Sequence, residues 1–249
     1  MQYGICTLSI VPVRIQPAEV SEMVSQLLYG EYFKVLEQRG KWSRIRIAFD
    51  ACEGWVTNNQ IQSIDEEIYS GLTQESRVYS GDLIEFISDP AGNLIHISMG
   101  SILNFAVAQN LVFDGRVISG INEKSLLLDT AILYLNTPYL WGGKTPFGID
   151  PSGLAQMVYM LNGHSLKRDA SNQVKQGEPL SFIEECEPGD LAFFDDAEGN
   201  IIHVGIMMKD NYIIHVDGKV RIDRIDHSGI YNVDQKKHTH QLRVIKKIF

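Results

Sequence analysis

Two histidine side chains are the groups in this sequence best suited to proton transfer. His203 and His215 each lie in an apolar, β-rich run, and a short polar turn separates the two runs. The pattern predicts neighbouring antiparallel strands, on which the two rings can lie side by side on one face. One imidazole would then accept a proton from a nucleophile while the other holds it in the correct tautomer. The alternative is a pair of structural histidines in apolar strands.

Zinc binding is a second alternative for a histidine pair. A zinc site needs a third or fourth protein ligand, and we expect none here because no HxH, CxxC or HExxH motif accompanies the two histidines. We therefore expect no metal and no cofactor. The three cysteines are widely spaced, and we expect reduced, mostly buried thiols at Cys6, Cys52 and Cys186.

The nucleophile for such a histidine pair is expected in segment 137–157, where a glycine-rich loop leads into an apolar helix. Asp150 is the predicted N-cap, Pro151 suits the first helical position, and Ser152 follows in the first turn. A helix N-terminus lowers the pKa of a thiol and offers backbone N–H groups to an oxyanion. Pro151 occupies the position where such a thiol would lie, and proline has no nucleophilic atom.

The elements that must position these groups divide the chain into three predicted domains. From residue 5 to about residue 64, short β-rich runs are separated by glycines, which is typical of a small barrel. Residues 70–120 repeat this pattern more weakly, with predicted strands at 81–86 and 94–98 joined by a turn at 89–93. A predicted helix from Ser125 to Leu135, with Ser125 as its expected cap, and later a run of strands follow, which is the order of an α+β domain. The predicted domains are 1–66, 67–121 and 122–249.

Five motifs in the C-terminal half together resemble the NlpC family of papain-like cell-wall cysteine peptidases. They are TPYLWGGKTPFGIDPSG from residue 137, LKRDAS from 166, EPGDL from 187, IHVGI from 202 and IH at 214. The N-terminal half resembles bacterial SH3-like domains, and the whole layout resembles the YkfC-like branch, which cuts short murein peptides after the γ-D-glutamyl residue. The resemblance implies an α+β, papain-like domain preceded by two all-β SH3-like barrels.

The resemblance also implies a role for each candidate residue. His203 would be the general base, His215 its orienting partner, and Tyr139 a neighbour of the oxyanion. Pro151 stands where the family has its nucleophilic cysteine. A pocket for the free L-Ala amino end of a murein-derived peptide would be lined by Asp150, Ser152, Arg168, Asp169 and, from the first SH3-like domain, Glu53.

Proline at this position removes both the thiolate and one backbone N–H of the helix start. The resemblance therefore implies a catalytically inactive homologue that retains a peptide-binding pocket. Two alternatives stay open: an active murein-peptide hydrolase that uses Ser152, and an SH3-like scaffold that binds a protein partner. Ser152 is a poor substitute, because one step along a helix turns a side chain by about 100°.

Charge and hydropathy limit the partners of the chain. A net charge of −9 argues against binding to nucleic acid or to an anionic membrane, because both require clustered basic side chains. The N-terminus lacks the basic start and apolar run of a signal peptide, and no apolar run is long enough to cross a bilayer. We therefore expect a cytoplasmic protein with no nucleic-acid partner.

Overall fold

The computed structural model describes residues 2–249 and divides the chain into two compact units. The first unit comprises the residues up to Ile121 together with Trp141–Pro146, and the second comprises Asn122–Leu140 together with Phe147–Phe249. The further division of the N-terminal region into two SH3-like barrels at residue 66 stays a prediction.

A seven-stranded antiparallel sheet forms the first half of the first unit. Its strands are β1 (Gln2–Ile5), β2 (Ile10–Arg14), β3 (Met23–Leu28), β4 (Tyr32–Arg39), β5 (Trp42–Ile47), β6 (Glu53–Thr57) and β7 (Gln62–Ile64). Their order across the sheet is β3-β2-β6-β5-β4-β1-β7. Alternate residues such as Val11 and Val13 face inward, where they pack with Phe33 and Ile45 in a fully buried apolar core.

Helices interrupt the weaker strand pattern of the region that follows. The elements are α1 (Glu66–Gln74), β8 (Val78–Ser80), β9 (Ile84–Ser88), β10 (Leu94–Ser98), α2 (Asn104–Ala108), β11 (Val112–Phe113) and β12 (Val117–Ser119). The predicted β9–β10 hairpin is present, and the Asp89 carboxylate accepts backbone N–H groups across its turn. Helix α1 is not among the predicted elements, although Asp65 caps it by accepting the backbone N–H of Ile68.

The Trp-Gly-Gly segment belongs to the first unit and contains β13 (Lys144–Thr145). Lys144 is fully buried, and its ammonium donates to the Glu31 carboxylate at 2.8 Å. Gly142 has φ +75°, and a Cβ there would lie 2.6 Å from the Met23 carbonyl oxygen. Glycine is therefore required at position 142 both by the backbone conformation and by the close approach of another chain segment.

The second unit combines helices with a second antiparallel sheet. Its elements are α3 (Leu126–Ile132), β14 (Gly148–Ile149), α4 (Pro151–Leu161), α5 (Ala170–Gln173), β15 (Glu178–Leu180), β16 (Leu191–Asp195), β17 (Ile201–Met207), β18 (Tyr212–Asp217), β19 (Lys219–Asp226), β20 (Gly229–Asn232) and β21 (Lys237–Lys247). The sheet order is β15-β21-β16-β17-β18-β19-β20, and an additional β20–β21 pairing closes the sheet on itself.

Helix α4 is the central helix of this unit and packs against β17 and β18. Nine of its eleven residues are buried, which are those from Gly153 to Leu161. Because the helix is apolar on nearly every side, burial rather than intrinsic propensity stabilises it. Among residues 2–249, no helix is both long and apolar enough to cross a membrane.

Two local predictions for the second unit were wrong. Ser125 was expected to cap α3, but it has helical dihedral angles and its hydroxyl makes no capping hydrogen bond. Helix α3 was expected to reach Leu135, but it ends at Ile132, and the next turn is closed by tighter bonds such as that from Leu135 N–H to the Ile132 carbonyl. Such tightening is common where a helix ends, and apolar periodicity does not reveal it.

Candidate active site

The start of α4 has the predicted capping geometry. Asp150 is the N-cap in an extended conformation, and its carboxylate accepts the backbone N–H of Gly153 at 2.6 Å. Pro151 is the first helical residue. Proline costs the helix nothing there, because the N–H it lacks would have no partner within the helix.

Arg168 ties the carboxylate of this cap in place. Its guanidinium donates to both oxygens of Asp150, from Nη1 to Oδ1 at 3.0 Å and from Nη2 to Oδ2 at 2.6 Å. Both side chains are buried. The Ser152 hydroxyl joins them, since it donates to Asp150 Oδ1 and accepts from Arg168 Nη1, each at 3.1 Å. Three of the predicted pocket residues therefore form one compact, charge-neutralised network.

Helix α5 lies beside this network. The Gln173 side-chain amide donates to the carbonyl oxygens of Ser152 at 2.9 Å and Lys167 at 2.8 Å, which holds the segment that carries Arg168 against the start of α4. Asp169 occupies the N-cap position of α5, but its carboxylate makes no capping hydrogen bond and is exposed. The side chain of Asp169 is therefore accessible to solvent, whereas that of its neighbour Arg168 is buried.

Tyr139 is positioned by an extended segment that pairs on both sides. Its backbone N–H donates to the Gly218 carbonyl at 3.0 Å, and Leu140 N–H donates to the Ile149 carbonyl at 3.1 Å. These two bonds hold Tyr139 beside Asp150, the residue that follows Ile149. Partial burial and then the charge of Asp150 raise the pKa of its phenol, so the hydroxyl stays protonated and can donate a hydrogen bond.

His203 on β17 and His215 on β18 lie in contact, as their predicted strands require. Ile206 pairs with Ile214, so His215 lies opposite Gly205 and His203 lies two residues farther along the same face. A Cβ at Gly205 would lie 3.0 Å from the His215 Cβ, so a glycine leaves room for the rings. The distance between His203 Nε2 and His215 Nδ1 is 3.1 Å.

Asp223 on β19 extends this pair to a chain of three groups. Its Oδ2 lies 3.1 Å from His215 Nε2, and it also accepts from Arg221 Nε at 2.6 Å. Burial acts to raise the pKa of Asp223, but the hydrogen bonds from His215 and Arg221 outweigh it and lower the pKa. The carboxylate is therefore ionised and accepts hydrogen bonds only.

An ionised Asp223 determines which ring nitrogens carry protons. His215 must donate from Nε2 to the carboxylate, so its Nδ1 accepts from His203 Nε2, and the lone pair of neutral His203 is left on Nδ1. This is the tautomer that a general base needs. The order Asp223, His215, His203 is called the histidine relay below.

A third ring, that of His240 on β21, lies against the relay. It stacks on His203 with ring centroids 4.1 Å apart and meets His215 edge-on at 5.7 Å. Burial, followed by the proximity of His240 and His215, lowers the pKa of His203 well below its usual value. Burial is also the main cause that lowers the pKa of His240. Both rings are therefore neutral near pH 7.

Asp223 and His240 were not among the residues predicted from the sequence. Asp223 lies in the alternating run Val-Arg-Ile-Asp-Arg-Ile from residue 220, which predicts a strand but does not identify the acid that meets His215. His240 completes a His-Thr-His sequence at 238–240, which is a spacing found in metal sites. That motif lies far in sequence from the other two histidines, and only the closed sheet brings it to them.

The predicted pocket residue Glu53 lies in the first unit, at the start of β6. Its carboxylate accepts hydrogen bonds from Arg44 Nη2 and Arg46 Nη2, each at 2.6 Å. These bonds lower the pKa of Glu53, with that from Arg44 the largest cause. Its role towards a peptide amino group stays a prediction.

Comparison with known proteins assigns the second unit to a family. Residues 136–243 match the NlpC/P60 family, and residues 13–61 match the bacterial dipeptidyl-peptidase Sh3 domain. The chain carries an NlpC/P60 domain. The resemblance that the sequence motifs indicated is thereby confirmed, for this domain and for the SH3-like domain in front of it.

Two dipeptidyl-peptidases align with this chain over most of its length and of their own. Dipeptidyl-peptidase 6 of Lysinibacillus sphaericus is 27% identical over 251 residues, which cover 85% of this chain and 87% of that protein. The gamma-D-glutamyl-L-lysine dipeptidyl-peptidase of Bacillus subtilis is 25% identical over 215 residues, which cover 77% of this chain and 71% of that protein.

Solved structures agree on the fold. An NlpC/P60 family protein from Bacillus cereus superposes with a TM-score of 0.81, covers 99% of both chains and is 16% identical. An NlpC/P60 endopeptidase from Photobacterium damselae superposes with a TM-score of 0.71, over 97% of this chain and 70% of its own, also at 16% identity. The expected α+β class with an SH3-like N-terminal domain is confirmed.

The NlpC/P60 domain thus holds two chemically different groups on packed elements. The histidine relay on β17, β18 and β19 presents an orienting acid and a neutral base. Helix α4, which packs against β17 and β18, begins with Pro151 under a cap held by Arg168. The relay can accept a proton, but proline at the helix start has none to give.

Proposed function

We propose that this chain is a homologue of the γ-D-glutamyl dipeptidyl-peptidases that binds a murein-derived peptide without cleaving it. The similarity to such dipeptidyl-peptidases supports membership of a family of murein-peptide hydrolases. The proposal that the chain binds the peptide without catalysis depends on Pro151 at the first position of α4. Losing the nucleophile of a triad removes nearly all of the acceleration that the triad supplies.

The observation that carries the proposal is that the histidine relay is intact although the helix start holds proline. Asp223, His215 and His203 remain hydrogen-bonded in order, with both bonds at 3.1 Å. Retention of the relay supports a pocket that still recognises a ligand.

Replacement nucleophiles find little support in the same geometry. The Ser152 hydroxyl already donates to Asp150 and accepts from Arg168, so it is engaged with the cap. Burial is the main cause that raises the pKa of the Cys186 thiol, and burial raises that of Cys6 to about 12. Neither cysteine presents a thiolate near pH 7. An active hydrolase that uses one of these groups is therefore the weaker reading.

The proposed ligand is a peptide with a free L-Ala amino end followed by γ-D-glutamate. An ammonium group needs an accessible carboxylate, and the exposed carboxylate of Asp169 meets that need better than the buried carboxylate of Asp150. The protonated phenol of Tyr139 supplies a donor for a peptide carbonyl.

Calorimetry with L-Ala-γ-D-Glu-L-Lys on the full chain tests the proposal, together with mass spectrometry of the same mixture. We expect one binding site per chain and no new peptide masses. The Asp169→Asn variant should bind more weakly, because the amide has no charge to pair with an ammonium. Asp129→Asn, which alters an exposed acid on α3, is the matched control and should bind like the native chain.

A gain-of-function variant examines the missing nucleophile directly. Pro151→Cys should cleave the peptide after the γ-D-glutamyl residue, and a second change, His203→Gln, should abolish that cleavage. Cleavage by the native chain would contradict the inactive reading. Absence of any heat of binding in the native chain would contradict the peptide pocket, whatever the outcome with Pro151→Cys.

A further inference from the structure

Three histidine rings converge in the NlpC/P60 domain from three different strands. His203, His215 and His240 lie on β17, β18 and β21, and one ring nitrogen from each lies within 4.8 Å of the other two. His203 and His215 are buried and His240 is half-buried. A peptidase relay as described above uses two histidines and an acid, so the third ring has no part in it.

We propose that these three histidines form a binding site for one divalent cation of the zinc type. Three histidine nitrogens with a fourth position open to water or a ligand form a recognised donor set for Zn²⁺. Imidazole nitrogen suits zinc and its neighbours in the transition series, whereas Mg²⁺ and Ca²⁺ prefer oxygen ligands. The site shares His203 and His215 with the relay but requires none of the residues at the start of α4.

The nitrogen distances allow all three rings to reach one metal once the His240 ring rotates out of its stack on His203. Tetrahedral coordination at a Zn–N distance of about 2.1 Å places ligand nitrogens about 3.4 Å apart. His203 Nε2 and His215 Nδ1 are 3.1 Å apart, already close to that value. The upper limit of 4.8 Å for the remaining nitrogen pairs leaves about 1.4 Å to be covered by ring rotation.

Hydrogen bonds outside the cluster orient two of the three rings. His215 uses Nε2 to contact Asp223, which is itself held by Arg221, so its Nδ1 is the nitrogen that points to the cluster. This is the carboxylate–histidine arrangement that commonly supports metal ligands. In His240 the Nδ1 atom contacts the Thr239 hydroxyl at 2.9 Å, which leaves Nε2 for a metal.

The backbone around His240 is also built to admit it. Gly229 pairs with β21, has φ +138°, and a Cβ there would lie 1.8 Å from the His240 carbonyl oxygen. Only glycine allows β20 and β21 to approach each other this closely. His240 in turn lines a surface cleft together with His227, Ser228 and His238, so this one residue of the three borders solvent-filled space.

Metal titration of the untagged full chain, first dialysed against a chelator, tests the site. Calorimetry should show one Zn²⁺ bound per chain, and Co²⁺ should develop the strong visible absorption of a tetrahedral site. Mg²⁺ at the same concentration should give neither signal. Failure of both Zn²⁺ and Co²⁺ to bind at one equivalent would overturn the proposal.

Variants assign the binding to these rings. His240→Gln should lose the stoichiometric binding, whereas His238→Gln, an exposed histidine two residues earlier on the same strand, should retain it. Asp223→Asn should weaken binding by about 10- to 100-fold, because it changes the support of a ligand rather than a ligand. Equal binding by native protein and His240→Gln would overturn the assignment.

A measurement on the native chain covers the case in which His240→Gln does not fold. Addition of Zn²⁺ should shift the imidazole NMR signals of His203, His215 and His240 and leave those of His164 and His227 in place. Shifts confined to other histidines would overturn the proposal. Peptide calorimetry on the chelator-treated chain is read separately, so failure of the metal site and failure of peptide binding are distinguishable.

Discussion

The start of α4 and the histidine cluster are two buried polar regions of one domain. They differ in how many of their hydrogen-bonding groups are already engaged within the protein. At the helix start, Asp150 and Arg168 engage each other through both oxygens of the carboxylate, and Ser152 bonds to both. In the cluster, the relay bonds leave His203 with a nitrogen lone pair, and His240 stacks on that ring.

The start of α4 stabilises the fold, whereas the histidine cluster retains groups that can react or bind. A charge-neutralised cap contributes to folding, but it contains neither an acidic proton nor a nucleophile that could react with a substrate. A buried, neutral imidazole such as His203 lowers the stability of the fold as the pH falls, yet it can accept a proton or a metal ion. Changes at the helix start should therefore alter mainly stability, and changes in the cluster should alter mainly pH dependence and binding.

The largest effect is expected from Arg168→Met, which leaves the buried Asp150 carboxylate without its partner. Removing one member of a buried ion pair costs about 4 kcal/mol, so the free energy of unfolding measured with urea should fall by that amount. Arg243→Met is the matched control, because Arg243 is exposed and lies 3.7 Å from Asp195. A control loss as large as that of Arg168→Met would mean that the buried pair is not special.

Gly229→Ala should come next and should disturb the cluster from the backbone side. Gly229 has φ +138°, and an added Cβ would lie 1.8 Å from the His240 carbonyl oxygen. We therefore expect the free energy of unfolding to fall by about 3 kcal/mol. Gly199→Ala separates the two causes, since Gly199 has φ +81° but open space around it. That control should lose only about 1–2 kcal/mol, and similar losses in both variants would contradict the packing argument.

His203 should make the domain less stable in acid. Its pKa in the folded state lies well below 6.5, so below that pH the unfolded chain binds a proton that the folded chain does not. Stability due to this ring is complete above pH 6.5 and falls as the pH is lowered, by about 1.4 kcal/mol per pH unit.

Urea unfolding of His203→Gln at several pH values between 7 and 4.5 measures this contribution. The variant should show a shallower loss of stability with falling pH than the native chain. His227→Gln, which changes an exposed ring, should keep the native slope. Identical slopes for native protein and His203→Gln would contradict the assignment of the acid-sensitive group.

Ser152→Ala should have the smallest effect and sharpens the difference between cap and cluster. It removes two hydrogen bonds of 3.1 Å from the network around Asp150 and should cost about 0.5–1.5 kcal/mol. Peptide turnover by the Pro151→Cys chain should persist when Ser152→Ala is added. Loss of that turnover, with Ser171→Ala unchanged, would point to Ser152 as a reacting group.

Local sequence signals predicted those features that depend on neighbours in the chain. Asp150 before a proline and an apolar run is a capping signal, and the cap is present. Two apolar runs separated by a short turn predicted the strands that bring His203 and His215 together. The motifs around these residues were sufficient to indicate the NlpC/P60 domain and the SH3-like domain in front of it.

The partners of these residues depend on contacts that no local pattern contains. Arg168 meets Asp150, Asp223 meets His215, and His240 meets His203 only because distant segments pack together. The sequence by itself thus determined the strands that carry His203 and His215, the Asp150 cap and the resemblance to the NlpC/P60 domain, because these follow from periodicity and motif order. Tertiary structure alone decided that Arg168 neutralises the cap and that His240 stacks on the relay. The first contact depends on the packing of the Arg168 segment on α4, and the second depends on the pairing of β21 with β16 and β20.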